Sequence, residues 1–163
     1  MDPDAILAAI EEQRDAEAEP QQEQERVSYL GFYLGSEVYG LPLEQLREVA
    51  RVSHLRRVPG APAGVAGLVN LRGEILCALD VRAILGLPSQ AQTESPFLIA
   101  LRGLGDPIGL IVDSIADIYA VAASDIEAPP ATWPPERAAC FIGTARVAAG
   151  LMGVLDLAKV TKV

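Results

Sequence analysis

The sequence predicts a mainly β fold made of two small barrels packed against each other, and three observations carry that prediction. Short apolar runs separated by Gly, Pro or polar breaks recur through residues 27–157, the pattern of short strands joined by tight turns. No stretch between these runs is long enough for the crossover helices that a parallel sheet needs. The second half of the chain also echoes the first. Gly40-Leu41 followed by Glu44, Leu46, Glu48 and Val49 returns as Gly109-Leu110 followed by Asp113, Ile115, Asp117 and Ile118. Gly67, Leu71, Leu79, Asp80 and Val81 return at one common offset as Gly143, Val147, Leu155, Asp156 and Leu157. A longer Pro-rich loop in the second half accommodates the seven-residue difference between the two shifts. Two units of about five strands each would bury little core alone, so they should pack together. Closing each unit into a barrel would remove its exposed sheet edges.

Taken in order, residues 3–18 are expected to form a helix with Ile6, Leu7 and Ile10 on one side. An isolated helix of this length is marginal in water. The segment is therefore read as a solvated acidic tail, with docking on a partner through the apolar side as the other reading. Glu19–Gln24 surrounds Pro20 with polar residues and reads as linker. Val27–Leu34 and Glu37–Leu41 are strands about a Gly35-Ser36 turn, and Leu43–Leu46 is one helical turn. Arg47–Val52 is extended, and Arg56–Ala63 is a loop. Gly67–Leu71 and Glu74–Val81 form a hairpin about Arg72-Gly73, and Asp80 caps a short helix over Val81–Leu85. Ser89–Glu94 is a polar spacer. Phe97–Leu101, Pro107–Ile111, Ile115–Val121, Phe141–Ala148 and Leu151–Leu155 are further strands. The four prolines of Asp125–Pro135 mark a loop, and Asp156 caps a terminal helix. The domain reading is an acidic tail over 1–26, two units over about 27–92 and 93–157 with edge strands free to exchange, and a C-terminal tail over 158–163.

Half of the residues are hydrophobic but only 5% are aromatic, so the core must be Val, Leu, Ile and Ala. The net charge of −9 belongs to one end. Residues 1–25 carry nine carboxylates against Arg14 alone, which leaves the remainder at −1. A near-neutral body without a dense basic stripe argues against nucleic acid as a partner. The acidic start is the wrong charge for a signal peptide, and no uncharged run reaches the roughly 20 residues that span a bilayer. A cytoplasmic location is expected, without membrane insertion.

Catalytic and metal constellations are missing from the pattern. His54 is the one histidine, in a polar loop-like stretch that reads as solvated surface. No His/Cys cluster has metal-ligand spacing, and no GK[ST] follows the glycines of residues 64–73 to make a phosphate loop. Cys77 and Cys140 lie in apolar runs and read as buried free thiols, with a disulfide left open. Asp113 and Asp117 match Glu44 and Glu48 in the repeat, which points to turn or edge geometry rather than acid/base chemistry. The expectation is a protein that is not an enzyme and needs no cofactor.

The stretch Gly64–Pro88 resembles the CheW-like family, adaptors of bacterial chemosensory arrays. The residues that carry the resemblance are Pro62, Gly67, Asn70-Leu71-Arg72-Gly73, Leu79-Asp80-Val81-Arg82 and Gly86-Leu87-Pro88. Tyr39-Gly40-Leu41 with Val49, and Gly109-Leu110-Ile111-Val112-Asp113, extend it over about Val27–Leu157. The family fold is two SH3-like β-barrels. The resemblance implies a scaffold joining the cytoplasmic tip of chemoreceptors to the regulatory domain of a CheA-type histidine kinase. It would be recruited to membrane-associated receptor arrays. One barrel face would take the kinase domain, and a groove between barrels the receptor tip. The alternative is a regulatory or structural array component that does not couple kinase, or one serving a gliding or pilus pathway.

Carried over residue by residue, Arg72 and Glu48 are the leading partner-binding positions, and a plain structural role, in which Arg72 fastens the hairpin to Glu48, stands beside that reading. Leu46 resembles a neighbouring surface position, although a core leucine is the competing reading. Asn70 is expected to satisfy backbone groups of the turn. Gly67 and Gly73 would serve backbone geometry and Asp80 would cap its helix. The repeat places Ala148-Ala149-Gly150 opposite the Arg72 turn, so the hairpin is duplicated but its cation is not.

Overall fold

The computed structural model describes residues 3–17, 25–88, 95–103 and 105–162. The expected linker Glu19–Gln24 and spacer Ser89–Glu94 lie outside these residues. After helix α1 (Pro3–Glu17) come β1 (Arg26–Leu34), β2 (Glu37–Pro42), a 3-10 turn (Leu43–Gln45), β3 (Leu46–Arg51), β4 (Leu55–Arg56), β5 (Val65–Leu71), β6 (Glu74–Asp80) and α2 (Val81–Ile84). The second half supplies β7 (Phe97–Leu101), β8 (Ile108–Val112), β9 (Ser114–Ala122), a 3-10 turn (Ala123–Asp125), α3 (Pro135–Ala138), β10 (Phe141–Val147), β11 (Gly150–Leu155) and α4 (Leu157–Val160). The two-residue strand β4 and the helix α3 are additions to the elements read from the sequence.

The strands form two sheets, ordered β10-β11-β2-β1-β9 and β3-β7-β8-β6-β5-β4. A division near residue 92 does not separate them. Each half contains a hairpin, a single strand and a second hairpin, and the halves trade their first hairpins. The β1–β2 hairpin joins the second half's strands, with β2 parallel to β11 at Tyr39–Gly153 and Gly40–Val154. Reciprocally, the β7–β8 hairpin joins the first half's, with β8 parallel to β6 at Ala78–Gly109 and Leu79–Leu110. Gly40 and Gly109 are repeat counterparts, so the exchange is the same on both sides. It extends beyond edge segments because whole hairpins cross over.

Each sheet also brings its two edges together. Strand β3, one edge, runs on through residues 52–54 into β4, the opposite edge. In the other sheet the chain leaving β9 reaches Glu127, which exchanges both backbone hydrogen bonds with Thr144 of the far edge, each at 2.8 Å. Joining edges in this way hides unpaired backbone groups. A glycine makes each closure possible. A Cβ on Gly67 would lie 2.4 Å from the Arg56 carbonyl oxygen, and one on Gly143 would lie 2.4 Å from that of Glu127.

The apolar residues are sorted in the same two-fold manner. Each sheet keeps a small cluster of its own: Val69, Ala78 and Leu98 in one, and Ala145, Val154 and Tyr29 among those in the other. The largest cluster lies between the sheets, where Leu30, Phe32 and Leu41 meet Ile99, Leu101 and Leu110. Aromatic contacts extend it, with Tyr39 stacked between Phe32 at 6.0 Å and Phe141 at 5.8 Å, and Trp133 at 4.8 Å from Phe141.

One terminal expectation is overturned, and the expected helix capped by Asp156 is present. Residues 3–11 are not a solvated tail: Ile6 and Ile10 are 2% and 0% exposed within the shared cluster, and α1 packs on β3 and the preceding 3-10 turn. Spacing of four residues puts both isoleucines on one helix face, and burying each contributes about 1.5–3 kcal/mol. Nor is 158–163 simply a tail. Asp156 caps α4 by accepting from the Ala158 amide at 3.2 Å, and Val160 of that helix is fully buried.

The closures give a test. Gly67→Ala and Gly143→Ala should each lower unfolding free energy by about 2–3 kcal/mol through overpacking against a carbonyl. Gly73→Ala, whose Cβ would meet nothing, should cost about 1–2 kcal/mol through its positive φ alone. Urea unfolding of the three variants checks the order, and the similarity of the first two checks the repeat.

Candidate partner-binding site at the Arg72 turn

The β5–β6 hairpin turns in two residues, Arg72 and Gly73, with Leu71 and Glu74 paired on either side. Both turn residues have positive φ, 52° at Arg72 and 86° at Gly73, the signature of the type I′ turn whose twist matches its strands. Gly73 adopts this without cost, whereas Arg72 is the one described non-glycine residue there. Asn70 helps hold it: its Oδ1 accepts from the Gly73 amide at 2.9 Å, a local bond that favours turns. Arg72 is thus presented from a defined backbone, with its side chain 70% exposed.

The curl of the sheet brings β3 to this turn. Arg72 Nε lies 3.1 Å from Glu48 Oε2 in an ion pair, and the Glu48 side chain is only 15% exposed. On the same strand Arg47 pairs with Glu74 at 2.5 Å and lies 4.0 Å from Glu48. Charges therefore alternate along Glu74, Arg47, Glu48 and Arg72. Beside them Ile75, opposite Asn70 in the ladder, is 52% exposed. The surface offers an apolar side chain next to an anchored cation, and it has donors and acceptors for a protein partner.

Of the positions singled out from the sequence, Arg72, Glu48 and Asn70 are brought together. Leu46 is not at this surface. It is 0% exposed within the shared core, because strand alternation turns it inward from the 3-10 turn and α1 packs over the same segment. Gly67 sits at the sheet closure, and Gly73 in the turn. Asp80 caps α2 by accepting from the Ala83 amide at 3.4 Å, while its own amide donates to Gly64 O at 2.8 Å. Asp156 repeats the second bond, donating to Cys140 O at 2.8 Å.

Arg47, Glu74 and Ile75 were not singled out from the sequence. Glu74 and Ile75 follow the turn directly, and strand alternation opposite buried Leu76 was the signal for Ile75. A second ion pair joins Arg82 of α2 to Asp113, which also accepts from the Gly35 amide at 2.7 Å. These two side chains are 17% and 22% exposed. They tie the β1–β2 turn of one sheet to the helix that follows β6 of the other. Asp117 instead caps its neighbour's amide, with Oδ1 accepting from Ile118 N at 2.8 Å. It does not combine with Asp113 in an acid/base pair.

The thiols of Cys77 and Cys140 are free, and burial pushes both above the usual cysteine range. A thiol shifted upward is less ionised and less nucleophilic at neutral pH. His54 is exposed. No helix among the described residues is long and apolar enough to cross a membrane.

Two substitutions separate the ion pairs. Arg72→Ala should change unfolding free energy by less than about 1 kcal/mol, as an exposed pair does. Arg82→Ala should cost about 1.5–3 kcal/mol, because the Asp113 carboxylate loses a charged donor in a sheltered place. Denaturant titration of both variants reads the difference.

Residues 28–163 match the family model described as CheW-like domain. The chemotaxis protein CheW of Treponema pallidum is 31% identical over 140 residues, covering 83% of this chain and 82% of that one. That of Helicobacter pylori is 28% identical over 125 residues, covering 76% of each. Protein FrzA of Myxococcus xanthus is 28% identical over 131 residues, covering 80% of this chain and 74% of its own. The crystal structure of the scaffolding protein TtCheW from Thermoanaerobacter tengcongensis superposes with a TM-score of 0.77 at 24% identity, over 89% of this chain and 94% of that one. With its paired sheets, its Asn-Leu-Arg-Gly turn and a family match that spans both, this chain belongs to the CheW-like domain family.

Proposed function

We propose that the protein is a non-enzymatic adaptor that couples chemoreceptors to a CheA-type histidine kinase in a chemosensory array. The observation that carries the site assignment is Arg72, held at φ 52° in a tight turn and 70% exposed while its Nε engages Glu48. An ion pair of this exposure contributes little to stability, so fastening the hairpin does not account for it fully. Its value lies in holding a guanidinium in one orientation, with further donors directed to a partner's carboxylate or carbonyl groups. Ile75 adds the apolar contact that an interface core needs.

Adaptor function requires surfaces and rigidity but no reacting group, which accords with the unactivated thiols and the exposed histidine. Relatives named chemotaxis protein CheW support this reading. Glu48, Arg72 and Asn70 are assigned to receptor or kinase contact, and the kinase regulatory domain is the second partner. Recruitment to membrane-associated arrays would follow from receptor binding and needs no membrane segment in this chain.

The test is reconstitution with a receptor signalling tip and a CheA-type kinase. Wild type should form a ternary complex and confer receptor-dependent phosphorylation. Arg72→Glu should weaken assembly at least about tenfold, the cost of placing like charge where a cation was read, while its melting temperature remains near wild type. Loss of assembly together with collapse of the melt would make Arg72 structural. Binding of receptor without kinase activation would favour an array component that does not couple.

A further inference from the structure

We infer that Arg47 is a positioning residue of the partner surface: by engaging Glu74 it reserves Arg72 for Glu48, and so sets the direction in which that guanidinium is presented. This rests on the adaptor reading and adds to its site a residue that acts through another. Its origin is a bulge in β3. The ladder between β3 and β7 pairs Leu46 with Leu101 and Glu48 with Ala100, so Arg47 is an extra residue on its strand. Such a bulge interrupts the alternation of side chains and re-aims them. Leu46 and Val49, three residues apart, accordingly both enter the shared core. Arg47 and Glu48 between them both reach the β5–β6 turn, where Arg47 meets Glu74 and Glu48 meets Arg72. Regular alternation would have sent one of these two side chains to the opposite face of the sheet. Arg102 fixes the strand just before the bulge: its Nε donates to the Leu46 carbonyl at 3.1 Å, and its amide to the Gln45 carbonyl at 3.0 Å. Arg47 thus has its place from the backbone rather than from its own ion pairs.

Two carboxylates serve this turn. Glu74 follows Arg72 by two residues in the same hairpin, and Glu48 arrives from β3. An arginine offered two carboxylates divides its donors between them, because each is a charged acceptor. Arg47 removes that ambiguity. Its Nη1 donates to Glu74 at 2.5 Å, while its Nε stays 4.0 Å from Glu48 Oε1 and leaves Oε2 to Arg72 at 3.1 Å. The repeat shows that the frame does not need these charges. Strand β9 shifts its register at the equivalent place, yet Ala116, Asp117, Ala148 and Gly150 stand where Arg47, Glu48, Arg72 and Glu74 do. Asp117 there accepts from the Ile118 amide instead.

Side-chain NMR and affinity on the full chain test this together. In wild type, cross-relaxation should join the side-chain protons of Arg72 to those of Glu48. In Arg47→Ala those contacts should weaken and contacts to Glu74 should appear, with the melting temperature near wild type. Assembly with a receptor signalling tip and a CheA-type kinase should weaken about fivefold, as coupled neighbouring charges do. Adding Glu74→Ala to Arg47→Ala should restore both the Glu48 contacts and the affinity, since the competing carboxylate is gone. Adding Arg72→Ala instead should leave assembly no weaker than Arg72→Ala alone, because Arg47 acts through Arg72. Arg146→Ala, which removes an exposed arginine of the β10–β11 hairpin, should change neither reading. Unchanged Arg72–Glu48 contacts in Arg47→Ala, no recovery on removing Glu74, additive loss with Arg72→Ala, or an equal loss in Arg146→Ala would each overturn the inference while leaving adaptor function intact. Failure of wild type to assemble would instead overturn the adaptor reading, and the partner role of Arg47 with it, whatever the NMR contacts show. Should Arg47→Ala melt early, Arg47→Met, which keeps the apolar stem, decides in its place.

Discussion

The reciprocal exchange of hairpins is the constraint on which the rest of this structure depends. Neither sheet is made from one half of the chain, so neither half can complete its hydrogen-bonding ladder without the other. The clusters private to each sheet are small, and the residues with most apolar surface, Phe32, Leu41, Ile99 and Leu110 among them, are committed to the space between the sheets. Small β-units have too much surface for their volume to be stable alone. Trading hairpins makes the interface part of both units. Folding and docking of the two sheets are thereby one event.

This arrangement frees the hairpin tips from structural duty. The parallel contacts, the edge closures and the helix caps are all repeated, at Gly40 and Gly109, Gly67 and Gly143, Asp80 and Asp156. The turn is not repeated: Arg72-Gly73 stands on one side, and Ala148-Ala149 connects the equivalent strands on the other. Since the Ala-Ala turn closes a hairpin of the same frame, an arginine at this position is not required for the fold. On the proposed adaptor reading its ion pair with Glu48 orients a charge, and Arg82 with Asp113 supplies the contrasting case of a sheltered pair that joins two elements.

Much of this was legible in the residues because local and long-range signals agree there. Glycines at turns, alternating apolar positions and Asp before a short helix each fix a few residues, and the repeat links them into two units. Strand exchange was less legible, since equal apolar strands of equal length do not say which sheet they join. That decision is made by the shared core. Leu46 shows the same limit at one residue. Its resemblance to a surface position depended on which side of β3 is covered, and α1, whose apolar side of Ile6, Leu7 and Ile10 looked short for a stable helix, packs on that strand. The cleft of α3 with α2, where Arg137 Nε donates to the Leu85 carbonyl at 3.2 Å, had no signal beyond a Pro-rich loop.

Duplication with local departures explains how a two-fold frame can still be specific. A two-fold core gives two similar faces, and two similar faces would offer partners two competing docking modes. Each departure lowers one of those modes relative to the other: a cation on one turn, and an acidic helix laid along one strand. Specificity is a difference between affinities, so a modest contribution at one face suffices if the other face lacks it. The Arg72–Glu48 pair does not need to bind strongly to act in this way. It needs to exist on one side only, which is how the chain is built.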